Sequence, residues 1–215
     1  MIQKTLAGAK MTNNKHYGST FTDEQELLRV LLDIHTETEI ELDPMFNKGM
    51  FYKTGNIEKP KHRFDLNPQS EDVKKGDATN LYQIPSGSIN TMVLDPPFLF
   101  GIHGKTEQNT CSKRYTIIPS FEELEKLYIG ILQEANRVLK KRGILIFKCQ
   151  DYTDSKTTMT HCFVYQWALD NGFYAKDLAI LIKENKIYNP KTTQRHLRKV
   201  HSYFWVFVKK EEVVK

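Results

Sequence analysis

The chain has 215 residues, 40% of them hydrophobic, 27% charged and 11% aromatic, with a formal net charge of +5. These fractions exclude wholesale disorder and suit one domain with a sizeable core. No apolar run is long enough to span a membrane. Three cysteines, Cys111, Cys149 and Cys162, stand far apart with no Cys-x-x-Cys pair, the pattern of a reduced chain without a structural zinc site. The polar start, Met1 to Lys15, lacks the apolar stretch of a secretory signal, so a cytoplasmic location is expected. Residues 1–20 read as a flexible lead-in and 21–215 as a single domain.

In chain order, Thr22 opens a predicted helix, with Gln25 as its capping-box partner and Leu27, Leu28, Leu31 and Leu32 as its apolar stripe. It should end near Thr36–Thr38. Short apolar strands ending in acidic or turn residues follow. Glu39 to Leu42 leads into Asp43-Pro44, His62 to Phe64 into Asp65, and Lys74-Lys75-Gly76 into Asp77-Ala78. Asn90 to Leu94 then leads into Asp95-Pro96-Pro97-Phe98.

Ser120, with Glu123 as box partner, opens the clearest helix, and Gly143 is expected to close it before a buried strand at Ile144–Phe147. A further helix is predicted from Thr160 to Asn171, ending at Gly172, with late strands near Leu178–Ile182 and Ser202–Val208. Residues 183–201 between those strands are polar and basic, a run that also suits a solvated surface. Alternating strands and helices argue for an α/β fold, a parallel sheet covered on both faces, which binds ligands outside the carboxyl ends of its strands. All four acidic strand ends would then share one rim.

Asp95-Pro96-Pro97-Phe98 can do specific chemistry there. Pro97 lacks an N–H and forces Pro96 into an extended conformation, so the peptide is stiff and its carbonyls are not consumed by a helix. An aromatic amine is a poor nucleophile because its lone pair is delocalised into the ring. A carboxylate and a carbonyl accepting both amino hydrogens favour the pyramidal nitrogen and aim its lone pair, while Phe98 stacks on the ring. An Asp-initiated turn with prolines would look the same in isolation.

This segment resembles the Asp/Asn-Pro-Pro-aromatic motif of the class I S-adenosylmethionine-dependent amino-methyltransferases, the DNA N6-adenine and N4-cytosine enzymes in particular. The run-up from Ile84 to Leu94, the stretch Ala135 to Ile146 and the basic segment Arg195 to Phe204 are similar to theirs as well. The resemblance implies a Rossmann-like fold with a mostly parallel seven-stranded sheet, helices on both faces and an antiparallel last strand. It implies S-adenosyl-L-methionine as cofactor, and Asp95, Pro96, Pro97 and Phe98 as the catalytic loop.

By the same resemblance, Asp65 would hold the cofactor's ribose and Asp77-Ala78 would meet its adenine. The loop Asp43, Pro44, Phe46 and Gly49 would approach its methionine part, although Asp43 to Gly49 departs from the family's Asp-Pro-Phe-x-Gly-x-Gly. No separate target-recognition domain is visible. Lys105, Lys113 and Arg114 in 99–119, and Arg195, Arg198 and Lys199 in 183–201, would contact the nucleic acid, expected to be DNA, with the chain a monomer or homodimer. RNA amine methylation, protein amine methylation and a non-catalytic nucleic-acid-binding relative are the alternatives. His196 and His201 lack a third ligand, so no metal site is expected. Lys148, Gln150 and Asp151 end the fifth strand and could face the same rim or form a surface turn.

Overall fold

The computed structural model describes residues 16–101, 118–153, 156–183, 193 and 195–211. The first helix, α1, spans Glu24–His35 after a two-residue strand β1, Thr20–Phe21. Its cap is Asp23, one residue later than expected. The Asp23 carboxylate accepts from the backbone N–H groups of Gln25 and Glu26, using two of the donors that a helix start leaves unpaired. Leu27, Leu28, Leu31 and Leu32 are buried as the stripe requires, each contributing roughly 1.5–3 kcal/mol.

Strands β2 (Leu42–Asp43), β3 (His62–Asp65), β4 (Lys74–Lys75) and β5 (Ile89–Leu94) follow. Helix α2 runs Phe121–Val138, with the Ser120 hydroxyl accepting from the Glu123 N–H as the capping box predicts. Strand β6, Leu139–Cys149, begins directly where α2 stops. Gly143 therefore does not cap the helix. It lies inside the strand, after Arg142 has taken a left-handed φ of 61°. A Cβ on Gly143 would sit 2.9 Å from the Lys140 carbonyl oxygen, so close backbone approach explains the glycine. The helix end is served instead by Lys209, whose ammonium donates to the carbonyls of Asn136 and Leu139.

A small hairpin, β7 (Tyr152–Thr153) and β8 (Thr157–Thr158), precedes α3, Thr160–Asp170. Strands β9 (Phe173–Ile182) and β10 (His201–Lys209) complete the sheet, β9 starting five residues earlier than its apolar run suggests.

The main sheet has the order β1-β9-β10-β6-β5-β2-β3-β4. Strand β10 pairs antiparallel with both β6 and β9, and every other pairing in this sheet is parallel. The fold is the Rossmann-like one expected, with eight strands in place of seven. The extra strand is β1, which falls partly in the presumed lead-in. The Ile180 N–H donates to the Ser19 carbonyl, so this short segment covers the free edge of β9.

Side chains alternate between the two faces with period two. Met92, Leu94, Leu145 and Phe147 pack in a core with α2 and α3, whereas Val93, Ile144 and Ile146 pack in a second core with α1. Among the described residues, no helix is long and apolar enough to cross a membrane.

Candidate active site

The sheet order sets the acidic residues side by side. Asp77 follows β4, Asp65 ends β3, Asp43 ends β2 and Asp95 follows β5, and these four strands are consecutive in the sheet. Parallel strands deliver their carboxyl ends to one rim, so residues spread over fifty positions become neighbours.

Asp43 is 2% exposed. Its carboxyl group accepts from the Met45 N–H at 3.0 Å and from the Tyr52 hydroxyl at 2.8 Å. Burial pushes the acid up to about 7, with these two hydrogen bonds pulling the other way. Phe46 lies flat on Tyr52, with centroids 5.2 Å apart and planes within 7°. Gly49 has φ 62°, and a Cβ there would come within 2.6 Å of the Phe46 ring. The loop is thus closed on aromatic packing, with glycine required where ring and backbone touch. The Asn47 N–H donates to Asp65 at 2.8 Å, tying this loop to the end of β3.

On the other side of the rim, Pro96 is buried while Asp95, Pro97 and Phe98 are partly exposed. Leu94 pairs with Phe147 across β5 and β6, which brings Lys148 beside Asp95. The ammonium group donates to Asp95 Oδ2 at 2.9 Å and lies 2.9 Å from Glu24 Oε1, in the first turn of α1. The Glu24 contact is an ion pair whose alignment leaves Oε1 without a hydrogen bond. Beneath the ammonium are the rings of Phe51 at 5.2 Å and Phe204 at 5.7 Å. Burial raises the Asp95 carboxyl group above its usual range, and Lys148 works against that rise. For Lys148 burial lowers the ammonium, but Asp95 and Glu24 overcome it and the net shift is upward. The buried Tyr128 hydroxyl donates to the Pro97 carbonyl at 3.0 Å, so the loop is anchored from the α2 side too.

Two cavities meet at this loop. A cleft of about 300 Å³ is lined by Asp43, Phe46, Gly49, Asp95, Lys148 and Glu24 among others. A hollow of about 300 Å³ is lined by Phe98, Gln150, Asp151, His196, Arg198 and Lys199 among others. One end of the Asp-Pro-Pro-Phe segment borders each.

Residues 89–215 match a family model described as DNA methylase, a span of more than half of the chain that contains the whole loop and the strands after it. The chain belongs to this DNA methylase family. No curated protein matches this chain. Among solved structures it is similar to TrmN from Thermus thermophilus, at 16% identity over 86% of this chain and 48% of that one, with a TM-score of 0.51. It is also similar to a candidate DNA modification methylase, again from Thermus thermophilus, in complex with S-adenosyl-L-methionine. That likeness has 16% identity, covers 72% of this chain and 58% of that one, and has a TM-score of 0.44. A third likeness is to the PvuII DNA methyltransferase, specific for cytosine N4, at 18% identity over 64% and 48% of the two chains, with a TM-score of 0.48. The chain spans little more than half the length of the S-adenosyl-L-methionine-bound Thermus thermophilus structure, and at these identities the likeness concerns the fold.

Of the residues read from the sequence, Asp43, Phe46, Gly49 and Asp95 share the cleft. Pro44 is buried behind it, and Asp65, Asp77 and Ala78 lie outside its lining. Asp65 accepts from the N–H groups of Asn47 and Asn67, one on each oxygen. Asp77 accepts from the N–H and hydroxyl of Thr79, both on Oδ1. Arg198 and Lys199 border the hollow beside Phe98, with the Gln150 amide donating to the Lys199 carbonyl at 3.0 Å, whereas Arg195 is exposed outside it. Lys105, Lys113 and Arg114 lie outside the described residues.

Asp151 faces the rim, buried, with His161 Nδ1 at 2.7 Å. The His161 ring stacks on Tyr203 at 4.1 Å, and Tyr203 in turn contacts His201. Glu24, Tyr52 and Tyr128 were not legible as site residues. Glu24 reads as an ordinary first-turn acid, and the two tyrosines read as core.

Proposed function

We propose that this chain transfers a methyl group from S-adenosyl-L-methionine to the exocyclic amino group of a DNA base, N6 of adenine or N4 of cytosine. The observation that carries this reading is that the Asp95–Phe98 loop joins the two cavities, Asp95 lining the cleft and Phe98 the hollow. A donor in the first and a base in the second would meet at the loop.

The residues present fit such a donor. The cleft volume is at the small end of those that hold organic ligands. It also exposes a polar, charged wall to which Asp43, Asn47, Lys48, Asp95 and Lys183 contribute. Asp43, Pro44, Phe46 and Gly49 form the loop that would hold the methionine part. Asp65 would take the ribose hydroxyls through lone pairs its two backbone contacts leave free, and Asp77 with Ala78 would border the adenine. When bound, the cofactor supplies a methyl group on a positively charged sulfur, an electrophile that needs no activation by the protein.

The protein's task is the nucleophile. Asp95 Oδ2 is held by Lys148, so Oδ1 is the oxygen presented to the amine. The Pro97 carbonyl is taken by Tyr128, which leaves the Pro96 carbonyl as the second acceptor. Phe98 stacks on the base from the hollow. As the nitrogen gains a bond to carbon it becomes cationic, and Asp95 stabilises that charge until one amino hydrogen departs as a proton. A base in duplex DNA has to be turned out of the stack to reach this position. Arg198 and Lys199, with Arg195, Lys105, Lys113 and Arg114, would neutralise phosphates and make binding strongly dependent on salt.

The test is transfer of a labelled methyl group to genomic DNA, total RNA and a protein lysate, followed by mass spectrometry of the modified nucleosides. N6-methyladenine or N4-methylcytosine in DNA is expected. Label confined to RNA or protein would sink the DNA reading, and calorimetry showing no cofactor binding would sink the enzymatic one.

A further inference from the structure

Asp95 does not stand alone. It begins a row of alternating charges, Asp95, Lys148, Glu24 and Lys183, drawn from four different elements. Lys148 touches Asp95 and Glu24 at 2.9 Å each, and Lys183 lies 3.9 Å from the other Glu24 oxygen. The two middle members are largely buried, Lys148 with 15% and Glu24 with 16% of the side chain exposed. Glu24 lies outside the family-matched residues, 65 positions before their start at residue 89.

A single buried ion pair would spend the Asp95 carboxylate on Lys148 and leave little charge for a substrate. Sharing the ammonium between two carboxylates leaves the inner Asp95–Lys148–Glu24 group with a net charge of −1, which Lys183, half exposed and 3.9 Å away on the far side of Glu24, offsets only through a solvent-screened contact. That is the sign needed beside a nitrogen that turns cationic. The sharing also fixes geometry. Lys148 rests on the rings of Phe51 and Phe204, and its hold on Oδ2 sets the rotation of the Asp95 carboxylate. Two long side chains pinned at both ends lose their freedom before the substrate arrives, so the orientation is already in place.

We infer that Lys148 and Glu24 are positioning residues for Asp95: Lys148 aims its free oxygen at the substrate amine, and Glu24 keeps Lys148 from neutralising it. The inference rests on the methylation reading above. It goes beyond the Asp-Pro-Pro-Phe motif, because half of the device comes from the N-terminal helix.

The test is the acidic limb of the pH profile of kcat/KM, where Asp95 has to be ionised. Groups facing Asp95 are Lys148 and Cys149 of β6, Glu24 of α1, Lys183 after β9, Asp43 at the end of β2 and Tyr128 of α2. Removing a cation from beside a carboxylate raises its pKa, and removing an anion lowers it. Lys148→Met is therefore expected to move the limb to higher pH by about 1–3 units, with a loss of about a hundredfold in kcat. Glu24→Gln is expected to move the limb to lower pH with a smaller loss of kcat. Lys148→Arg keeps the cation and should retain the wild-type limb.

Shifts in opposite directions are what a merely structural role does not produce. Equal losses with an unmoved limb, or a shift of the same sign in both variants, would overturn the inference. Carbon-detected NMR titration of labelled aspartate in the same proteins reads Asp95 without turnover. If the wild type methylates nothing, the methylation reading fails, while opposite Asp95 shifts in the two variants still support the charge sharing and unmoved ones overturn it.

Discussion

The two loops that border the cleft are built on opposite principles. The loop after β2, residues 43–52, holds its shape by packing: Phe46 stacked on Tyr52, Gly49 tucked under the ring, and an aspartate buried on two hydrogen bonds. The loop after β5, residues 95–98, holds its shape by proline stiffness and by long-range ties, a lysine from β6 and a tyrosine from α2. The first would fail as structure, and the second would fail as chemistry. Where the chain departs from a glycine-rich cofactor loop, aromatic contacts supply rigidity that glycine would not.

That contrast can be broken most sharply at Asp95. Asp95→Ala is expected to lower methyl transfer by about a thousandfold while calorimetry finds cofactor affinity nearly unchanged. An equal loss of both would place Asp95 with the cofactor and erase the distinction.

Phe46→Ala addresses the other loop, with an expected cost of about 3–5 kcal/mol in urea unfolding. Weaker cofactor binding should accompany it. A stability change near zero would show that the stack is ornamental. Gly49→Ala adds a Cβ against the Phe46 ring at a left-handed φ, and about 1–3 kcal/mol of destabilisation is expected.

The buried acid offers a subtler probe. A carboxyl group whose folded pKa lies near 7, above its unfolded value near 4, binds a proton in the folded state that the unfolded state has released. Its contribution is fully present below pH 4 and is lost as pH rises to 7, by up to about 1.4 kcal/mol per unit. Stability curves of the wild type and Asp43→Asn should differ by this slope, and parallel curves would show that the site is wetter than its packing implies. Smallest of all, Tyr128→Phe removes the anchor on the Pro97 carbonyl and should cost about 1 kcal/mol, with a modest loss in kcat.

Much of the fold could be read from residue order. The stripe at Leu27, Leu28, Leu31 and Leu32, the Ser120 cap and the acidic strand ends each declare themselves within a few positions, because helix and strand periods are local properties. The departures from that local reading are local in origin too. Gly143 looks like a helix stop, yet its φ is not left-handed, and the neighbouring Arg142 takes that conformation. Strand β9 begins at Phe173, before the apolar run, because pairing with β10 imposes extended backbone on polar residues as readily as on apolar ones.

What the sequence determined by itself is the kind of loop. Asp95-Pro96-Pro97-Phe98 after an apolar strand specifies a stiff, acceptor-rich loop beside an aromatic face, since prolines and a strand end leave few other conformations. What only the tertiary structure decided is which groups surround that loop. Glu24, Lys148 and Tyr128 come from segments separated from Asp95 by 71, 53 and 33 residues; the end of a strand points Lys148 to the rim or to a surface turn alike, and nothing in their own neighbourhoods marks the other two. Parallel pairing of β5 with β6, and the packing of α1 and α2 on opposite faces of the sheet, bring them to one carboxylate. Charge interactions act through space, over a few ångströms that the order of residues does not record.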